Sequence, residues 1–334
     1  MSVTIADVAR EAGVSVSTVS YVLSGKRTIS APTRARVEAA VDRLGYRPHA
    51  GARALASART NVIALMAPLR AGVDVGVIMQ FVAGVVLRAR HYDHDVLLLT
   101  QDDVRGAERV GAGSMVDAIV VMDVETHDER LEALARLRQP TVLIGLPEEP
   151  GTLSCVDLDF EAAGRAAVRH LTDLGHRRLG YVGHPGAVRE RGTSFAVRFD
   201  RGVADAAQAA GASLVAQDCD GSPEQSVAAV EALFAADPRI TGVVVHNEAA
   251  LGHVVTHLVA SGRPVPEAVS VVTVSPPEVA ARQAVPVTGL DIPAERVAHV
   301  AVDMVLARVD GDEPAETRLL TPTLTDRGST RPLG

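Results

Sequence analysis

The chain has 334 residues, enough for two or three domains, and its 47% hydrophobic and 22% charged side chains are ordinary for a soluble globular protein. No apolar run is long enough to suggest a membrane span, and the N-terminus lacks the basic-then-apolar pattern of a signal peptide. Cys155 and Cys219 stand outside any metal-binding spacing, so we expect a reduced, cytoplasmic protein without a metal or other cofactor.

The charge is divided unevenly along the chain. The formal net charge is −8, but residues 1–60 carry nine basic and four acidic side chains, a balance of +5, which leaves −13 for the rest. A basic segment attached to an acidic body indicates that only this segment meets a polyanion such as DNA. A solvated helical surface would carry the same charges, so the local sequence pattern must decide between the two interpretations.

The chain begins with a predicted short helix. Apolar side chains recur at helical spacing over residues 5–12, and Thr4 precedes them as an N-cap. Asp7 stands three residues after Thr4, which completes the pattern of a capping box. Gly13 is typical of the residue that ends a helix, so we expect the first helix to stop there.

The next stretch, VSVSTVSYVLSG (residues 14–25), alternates hydroxyl and apolar side chains as a strand would, but its wider spacing is helical. Val19, Val22 and Leu23 form one apolar stripe, and Ser15 is available as the N-cap. A second face carries hydroxyl groups at i, i+4 and i+7, on Ser17, Tyr21 and Ser24.

Two short helices joined by a tight turn that contains glycine are typical of a helix-turn-helix motif. In that motif the exposed face of the second helix enters the major groove of DNA. The hydroxyl-bearing face is therefore the candidate DNA-reading surface. A small helical subdomain without a DNA role is the alternative that these residues alone leave open.

A third helix and a linker follow. Ser30 is the expected N-cap, Pro32 lies in the first turn, and Gly45 closes the helix. Its expected buried stripe is Val37, Ala40, Val41 and Leu44. Residues 46–60 contain Pro48 and Gly51 and are too short to form a stable helix alone. We therefore interpret them as a linker that is helical only when something holds it.

From residue 61 onward, short apolar runs alternate with amphipathic segments. The runs predict strands at 61–68, 95–101, 117–124, 140–147, 178–185, 213–219, 242–247, 269–275 and 287–290. The amphipathic segments predict helices at 77–92, 161–175, 196–210, 223–236 and 248–261. Alternation in two blocks indicates an α/β fold with doubly wound parallel sheets in two lobes, whose ligand binds beyond the carboxyl ends of the strands.

In both its head and its body, the sequence resembles the lactose-repressor (LacI/GalR) family. The head carries TIADVAREAGVSVSTVSYVLSG and ISAPTRARVEAAVDRLGYRPHAGARAL, and the body carries AAVRHLTDLGHRRLGYVG, HNEAALG, VSVV and LTPTLTDRGST in the expected order. The resemblance covers nearly the whole chain. It implies a helix-turn-helix DNA-binding domain at 1–47, a hinge at 48–60 and, at 61–334, a two-lobed effector-binding and dimerisation domain like a periplasmic sugar-binding protein.

The resemblance also implies how DNA is bound. A homodimer or tetramer would place each head on half of a near-palindromic operator, and Leu55 would wedge into the central base step of the minor groove. Tyr21 stands where many members have Arg, so the half-site should differ from theirs. Helix N-termini suit phosphate, which assigns such contacts to Thr4, Ser30 and Thr33. The full predicted DNA-binding set is Thr4, Val16, Ser17, Thr18, Tyr21, Ser24, Ser30, Thr33, Ala52 and Leu55.

The residues that bind the effector are harder to predict from the sequence. Asn247 matches a family position that hydrogen-bonds sugar hydroxyls, and Arg198 lies near the family's ligand-binding arginine. Glu248 and Ser275 replace aspartates of the family pattern, and Asp102 follows a strand end. Each residue could instead have a structural or solvent-facing role. The expected effector is a carbohydrate, with a nucleobase or another metabolite as the alternative.

Two rival classes share features of this body. A solute-binding protein has the same two lobes, but it should have a signal peptide and lack the helix-turn-helix. An enzyme is disfavoured, because the chain has no G-x-S-x-G, H-E-x-x-H, P-loop or G-x-G-x-x-G motif. The sequence therefore predicts a ligand-responsive, DNA-binding transcriptional regulator, expected to repress sugar-utilisation genes.

Overall fold

The computed structural model describes residues 3–24, 27–46, 59–101, 104–112, 115–311 and 313–333, without the side chains of residues 24, 104, 107 and 110. Most of the predicted hinge, with Ala52 and Leu55, lies outside these residues, as do Asp102 and the side chain of Ser24. Within the described ranges, no helix is long and apolar enough to cross a membrane.

Three helices form the head: α1 (Ile5–Ala12), α2 (Val16–Ser24) and α3 (Ala31–Leu44). The predicted capping box is present, since the Thr4 hydroxyl accepts from the Asp7 N–H and the Asp7 carboxylate accepts from the Thr4 N–H. Gly13 and Gly45 end α1 and α3 with φ of 64° and 58°, a conformation that favours glycine. The head core consists of Val8, Ala9, Ala12, Val19, Val37, Ala40 and Tyr46.

Two local predictions for the head were wrong. Leu23, which was expected in the buried stripe of α2, is 38% exposed, whereas Val19 is fully buried. A core of three short helices is too small to cover the whole stripe. Ser30 occupies the N-cap position of α3, but its side chain caps no backbone N–H. Its hydroxyl donates instead to Thr33 Oγ1 at 2.9 Å.

Lobe one contains a six-stranded parallel sheet in the order β11-β5-β4-β3-β1-β2. Its first strands are β1 (Val62–Met66), β2 (Asp95–Leu99), β3 (Ala118–Val121), β4 (Thr141–Ile144) and β5 (Ser154–Leu158). The intervening helices are α4 (Val75–His91), α5 (Val104–Ala112) and α6 (Leu131–Ala135).

Lobe two contains a second six-stranded sheet, in the order β12-β10-β9-β8-β6-β7, in which only β12 is antiparallel to its neighbour among the strands described. Its strands are β6 (Arg178–Gly183), β7 (Ser213–Asp218), β8 (Gly242–Val245), β9 (Ser270–Ser275) and β10 (Thr288–Asp291). Its helices are α7 (Phe160–Asp173), α8 (Gly186–Glu190), α9 (Ser194–Ala209), α10 (Pro223–Ala236), α11 (Glu248–Ala260) and α12 (Pro277–Ala281).

The C-terminal segment returns to lobe one and then to lobe two. Helix α13 (Ala294–Asp310) packs against α4 and β3–β5, strand β11 (Thr317–Leu320) pairs with β5, and strand β12 (Leu324–Thr325) pairs with β10. Neither α13 nor this return was predicted from the sequence. The chain consequently passes between the lobes three times, near residues 159, 292 and 322, and these adjacent connections can act as a hinge.

Close packing of α7 against α9 positions side chains at the cavity between the lobes, which is described below. A Cβ at Gly164 would lie 2.4 Å from the Phe199 carbonyl oxygen, and one at Gly202 would lie 2.1 Å from that of Glu161. Only glycine permits this approach of two backbones. It places Arg198 and Phe199 of α9 beside the first turn of α7.

Candidate DNA-binding surface and interlobe cavity

The exposed face of α2 is available to a large partner. Val16 is 45% exposed, Ser17 is exposed and Tyr21 is half-buried, while Val19 on the opposite side belongs to the core. Thr18 has a different local role, because its N–H donates to Ser15 Oγ at 3.1 Å and the two hydroxyl oxygens lie 2.9 Å apart. Ser15 therefore caps α2, as predicted from the sequence.

An arginine accompanies Tyr21 on this face. The guanidinium carbon of Arg27 lies 5.4 Å from the centroid of the Tyr21 ring, a cation–π contact. A guanidinium group from the segment after α2 therefore lies beside Tyr21. This pairing was missed from the sequence, because Arg27 lies beyond the end of the predicted helix and has no periodic relation to Tyr21.

The helix starts that were predicted to meet phosphate are exposed. The Thr4 hydroxyl donates to the Asp7 carboxylate at 2.7 Å, and Ser30 and Thr33 are joined by the hydroxyl contact described above. Arg34 and Arg36 are exposed along α3. The head therefore presents helix N-termini and basic side chains on its surface, a combination that suits phosphates.

Residues 59–61, at the end of the predicted hinge, are held against lobe one. The Asp117 carboxylate, just before β3, accepts from the N–H groups of Thr60 and Asn61 at 2.7 Å and from the Thr60 hydroxyl at 2.9 Å. Arg59 forms an ion pair of 2.6 Å with Asp310 at the end of α13. These contacts fix the C-terminal end of the predicted hinge to lobe one.

A cavity lies between the lobes at the carboxyl ends of both sheets. It is lined by residues that follow β1, β3 and β4 in lobe one and β6, β8 and β10 in lobe two. Its volume is about 100 Å³, small beside the roughly 300–1,000 Å³ of typical ligand pockets. The lobes touch beside it, since the Thr126 N–H donates to Gly192 O at 2.8 Å and the Ser194 N–H to Val124 O at 2.9 Å. This arrangement is closed, and a larger ligand requires the lobes to separate.

Aromatic side chains form the wall of the cavity that lobe two supplies. Phe160 and Phe195 lie 5.5 Å apart between ring centroids, and His184 and His246 lie 4.3 Å apart. Burial lowers the pKa of His184 to about 3 and that of His246 well below its usual value, so both imidazoles are neutral. Within the described part of the chain, neither ring nitrogen of fully buried His246 has a hydrogen-bond partner.

Four carboxyl groups line the same cavity: Asp74, Asp123, Asp157 and Glu248. Asp157 of lobe one forms an ion pair with Arg198 of lobe two, whose Nε also donates to Ser194 Oγ at 3.2 Å. Arg198 is 8% exposed and stands behind the wall that Asp157 forms. The predicted effector residue Arg198 thus connects the lobes through a buried ion pair.

Asp123 and Glu248 are in unfavourable environments. Asp123 is the second residue after β3, has a left-handed φ of 52°, and its side chain is 5% exposed. Burial raises its pKa despite the positive charge of Arg70, whose Nη1 lies 3.3 Å from Asp123 Oδ2. Burial, together with the negative charge of Asp74, raises the pKa of Glu248 to about 7.

The other predicted effector residues differ in their positions. Asn247 caps α11, where its side chain accepts from the Ala250 N–H at 3.2 Å and donates to Cys219 O at 2.7 Å. Ser275 is buried at the end of β9, and its hydroxyl has no partner among the described residues. Glu248 lines the cavity, while Asp102 lies outside the described residues.

Several lining residues were missed as effector contacts. Asp74, Asp123 and Asp157 were not singled out, and His184 and His246 were considered only as weak catalytic candidates. A usable signal existed, because Asp123, His184 and His246 stand near the carboxyl ends of the predicted strands 117–124, 178–185 and 242–247.

Two family models match the chain. The model described as "Bacterial regulatory proteins, lacI family" matches residues 4–49, and the "Periplasmic binding protein-like domain" matches residues 168–330. Their order agrees with a DNA-binding head followed by a two-lobed body.

Characterised relatives give the same result. The HTH-type transcriptional regulator CelR of Thermobifida fusca is 30% identical over 337 residues, covering 95% of this chain and 94% of that protein. Catabolite control protein A of Priestia megaterium is 35% identical over 188 residues, about half the length of each protein at 54% and 55%. The HTH-type transcriptional repressor PurR of Photobacterium profundum is 29% identical over 345 residues, covering 99% of both chains.

Solved structures share the fold. A structure of a CelR–cellobiose complex has 27% identity and a TM-score of 0.69, and it covers 98% of this chain and 99% of that one. The lac repressor dimer bound to operator and the anti-inducer ONPF has a TM-score of 0.85 at 22% identity, covering 99% and 100%. Because the match to CelR extends over nearly the whole of both proteins, this chain belongs to the LacI family of bacterial DNA-binding transcriptional regulators.

Proposed function

We propose that this protein is a homodimeric repressor of sugar-utilisation genes whose affinity for its operator is set by a small molecule bound between the lobes. The observation that carries the proposal is the position of the cavity. Both lobes line it, three chain connections hinge them, and the hinge segment is fastened to lobe one through Asp117 and Asp310. A ligand that contacts both lobes favours one lobe arrangement over another and thereby alters the separation of the two heads in a dimer.

In this proposal α2 reads the operator half-site. Val16, Ser17, Thr18, Tyr21 and Ser24 face the major groove. Thr4, Ser30 and Thr33 contact phosphates at helix starts. Ala52 and Leu55 of the hinge reach the minor groove, where the leucine acts as an apolar wedge. Support comes from the exposure of the α2 face and the basic balance of residues 1–60.

An exposed apolar surface supports dimerisation. Four side chains of α4, which are 42–58% exposed, share this helix: Val75, Met79, Val86 and Leu87. Contiguous exposed apolar side chains are typical of a protein–protein contact. Two dimers would make the tetramer that the family resemblance also allows.

The effector is proposed to be a carbohydrate, held by residues that include Arg198, Asn247, Glu248, Ser275 and Asp102. The relative CelR, solved as a cellobiose complex, supports this class. The full-length match to a protein named PurR supports a nucleobase as the second candidate, and the aromatic wall of Phe160 and Phe195 would suit a planar ring. In either case the protein acts in the cytoplasm by binding, without catalysing a reaction.

Selection of operator fragments by the full chain tests the proposal. We expect a near-palindromic site, an affinity that falls steeply between about 50 and 200 mM salt, and a change of about 5- to 150-fold when the effector binds. Deletion of residues 1–60 provides the control, because the body should still fold and dimerise without binding the operator. Operator binding that survives this deletion, or that is indifferent to salt, would contradict the proposal.

A further inference from the structure

The charges around the cavity are strongly one-sided. The lining residues that the structure describes include four carboxyl groups and neither lysine nor arginine. Arg198, behind the wall, pairs with Asp157 and also donates to Ser194 Oγ. Asp157 is therefore neutralised by the protein itself, and the other three carboxyl groups must be considered separately.

Asp123 lacks a full complement of partners. Neither of its carboxylate oxygens has a hydrogen-bond partner in the described part of the chain, although the side chain is only 5% exposed. Arg70 Nη1 lies 3.3 Å from Asp123 Oδ2 but only 2.7 Å from Glu125 Oε1, and Arg191 and Arg130 add positive charge near Asp123 without donating a hydrogen bond to its carboxylate. A buried carboxylate is costly unless hydrogen bonds and an opposite charge compensate it. The two oxygens can both accept hydrogen bonds from a ligand.

Asp74 and Glu248 approach the cavity from opposite lobes. Asp74 precedes α4 and accepts one hydrogen bond, from the Val77 N–H at 3.1 Å. Glu248 is the first residue of α11, where the helix dipole gives a carboxylate only modest help. Both carboxyl groups line the same cavity, and after burial the negative charge of Asp74 is the other cause that raises the pKa of Glu248. A positive charge placed in the cavity would reverse this repulsion.

The remaining wall suits a cation as well. The guanidinium carbon of Arg198 lies 5.6 Å from the centroid of Phe160, so this ring already makes a cation–π contact, and Phe195 lies 5.5 Å from Phe160 between ring centroids. Neutral His246 has two buried ring nitrogens without hydrogen-bond partners among the described residues, so one can accept a ligand N–H or O–H and the other can donate. A phosphorylated ligand would instead add negative charge beside several carboxylates and meet no cation on the cavity wall.

We propose that the effector carries a protonated amine, which binds between Asp74 and Glu248 with Asp123 as a further acceptor, on a compact hydroxylated ring against Phe160 and Phe195. Its chemical class is an amino sugar rather than a neutral or phosphorylated sugar. The inference rests on the proposed function, and it specifies the ligand of the same cavity. A single ring also agrees with the cavity volume of about 100 Å³ better than an oligosaccharide does.

Titration calorimetry of the full-length protein with matched compounds tests this assignment. The probes are glucosamine, galactosamine and mannosamine, each compared with its parent sugar, its N-acetyl derivative and the sugar 6-phosphate. We expect at least one amine to bind about tenfold or more tightly than its three counterparts, a difference of about 1.4 kcal/mol. A parent sugar or a phosphate that binds as tightly as the best amine would overturn the proposal.

Two conservative variants locate the charge. Asp74→Asn and Glu248→Gln should each reduce the preference for the amine about tenfold while leaving the parent sugar nearly unaffected. Glu224→Gln is the matched control, because Glu224 is an exposed carboxylate in the first turn of the neighbouring helix α10. An amine preference that is the same in all three variants would also overturn the proposal.

A measurement without ligand tests the proposal independently of which sugar ring the effector carries. The double variant Asp74→Asn, Glu248→Gln should melt at a higher temperature than the original protein at neutral pH, since it removes the repulsion between two carboxylates that line one cavity. An unchanged or lower melting temperature would contradict the inference. A neutral sugar that occupies the cavity and alters operator affinity would leave the proposed function standing and remove the amine. An amine that binds as expected without altering operator affinity would support the amine assignment and contradict the proposed function.

Discussion

The two lobes share a topology but supply opposite chemistry to the cavity between them. Lobe one contributes three aspartates, Asp74, Asp123 and Asp157, whereas lobe two contributes the rings of Phe160 and Phe195 and two neutral histidines. Glu248 is the carboxylate that lobe two adds to its otherwise aromatic wall. Duplication of a fold therefore does not duplicate its chemistry, because the loops after the strands vary independently of the sheets that hold them.

The largest expected effect concerns the one buried ion pair that joins the two walls among those described, Asp157 with Arg198. Replacing Arg198 with Ala leaves a buried carboxylate without a cation, which typically costs about 3–5 kcal/mol in the free energy of unfolding. Denaturant unfolding measures this loss. Arg201→Ala is the control, because Arg201 lies one turn further along α9 and its side chain is 55% exposed in a pair with Glu161 at 3.7 Å. Equal losses in the two variants would show that the interlobe pair contributes no more than a surface contact.

Asp123→Asn should act in the opposite direction and stabilise the ligand-free protein by about 1 kcal/mol, since it removes a buried carboxylate whose oxygens accept no hydrogen bond among the described residues. Asparagine tolerates the left-handed φ of this position. Burial raises the pKa of Asp123 above 3.8, although Arg70, Arg191 and Arg130 favour the charged form. The original protein therefore loses stability relative to the variant as pH rises through that pKa, and the difference should narrow as pH falls towards 3.8.

Thermal unfolding at several pH values checks this expectation. Asp93→Asn supplies the control, because Asp93 has a similar φ of 55° but is exposed. If both substitutions raise the melting temperature equally, the gain comes from the backbone conformation and the acidic wall of lobe one is not under electrostatic strain.

Glu248→Gln tests the carboxylate that lobe two contributes to the cavity. The pKa of Glu248 is raised from 4.5 to about 7 by burial and by Asp74, so the folded protein binds a proton that the unfolded chain has lost. Stability from this group is fully present below pH 4.5 and lost as pH rises through 7. The variant should therefore melt about 2–4 °C higher than the original above pH 7, with no difference below pH 4.5. A constant difference at all pH values would assign the effect to packing.

The smallest expected effect lies in the head, away from both lobes. Arg27→Ala removes the guanidinium beside Tyr21 without touching the core, so stability should change little. Operator affinity should fall uniformly, and the slope of log affinity against log salt should decrease by about 1 if Arg27 neutralises a phosphate. Selection of operator sequences with the variant shows whether Arg27 contacts a phosphate or reads a base. A changed base preference would instead make Arg27 a reader of base edges.

Sequence patterns predicted the local elements well, for a physical reason. The capping box of Thr4 and Asp7, the C-terminal glycines at 13 and 45, and helix 223–236 all depend on residues within a few positions of one another. Most of the predicted strands follow short apolar runs because both faces of the central strands are buried, whereas β5 was not predicted and the edge strands β2 and β7 are partly exposed. The LacI-family head was recognisable on the same local grounds, since its helices are short and its turn is marked by glycine.

Contacts between residues that are not related by a regular spacing along the chain could not be predicted from the sequence. Arg27 meets Tyr21 only through the path of the chain after α2, and Leu23 is exposed because the head is too small to cover it. Helix α13 has a helical pattern of its own, but nothing in it indicates that it packs on lobe one rather than continuing lobe two.

The tertiary structure alone decided the composition of the cavity. Asp74 and Glu248 are 174 positions apart and meet because strand order brings the loops after distant strands to one edge. Asp157 and Arg198 pair because glycines at 164 and 202 let α7 and α9 approach closely. The sequence by itself determined which segments are helices and strands and which face of α2 is free, because those depend on neighbours along the chain. Which charges face each other depends on contacts between segments, whose energies are set only when the sheets, helices and crossings are assembled.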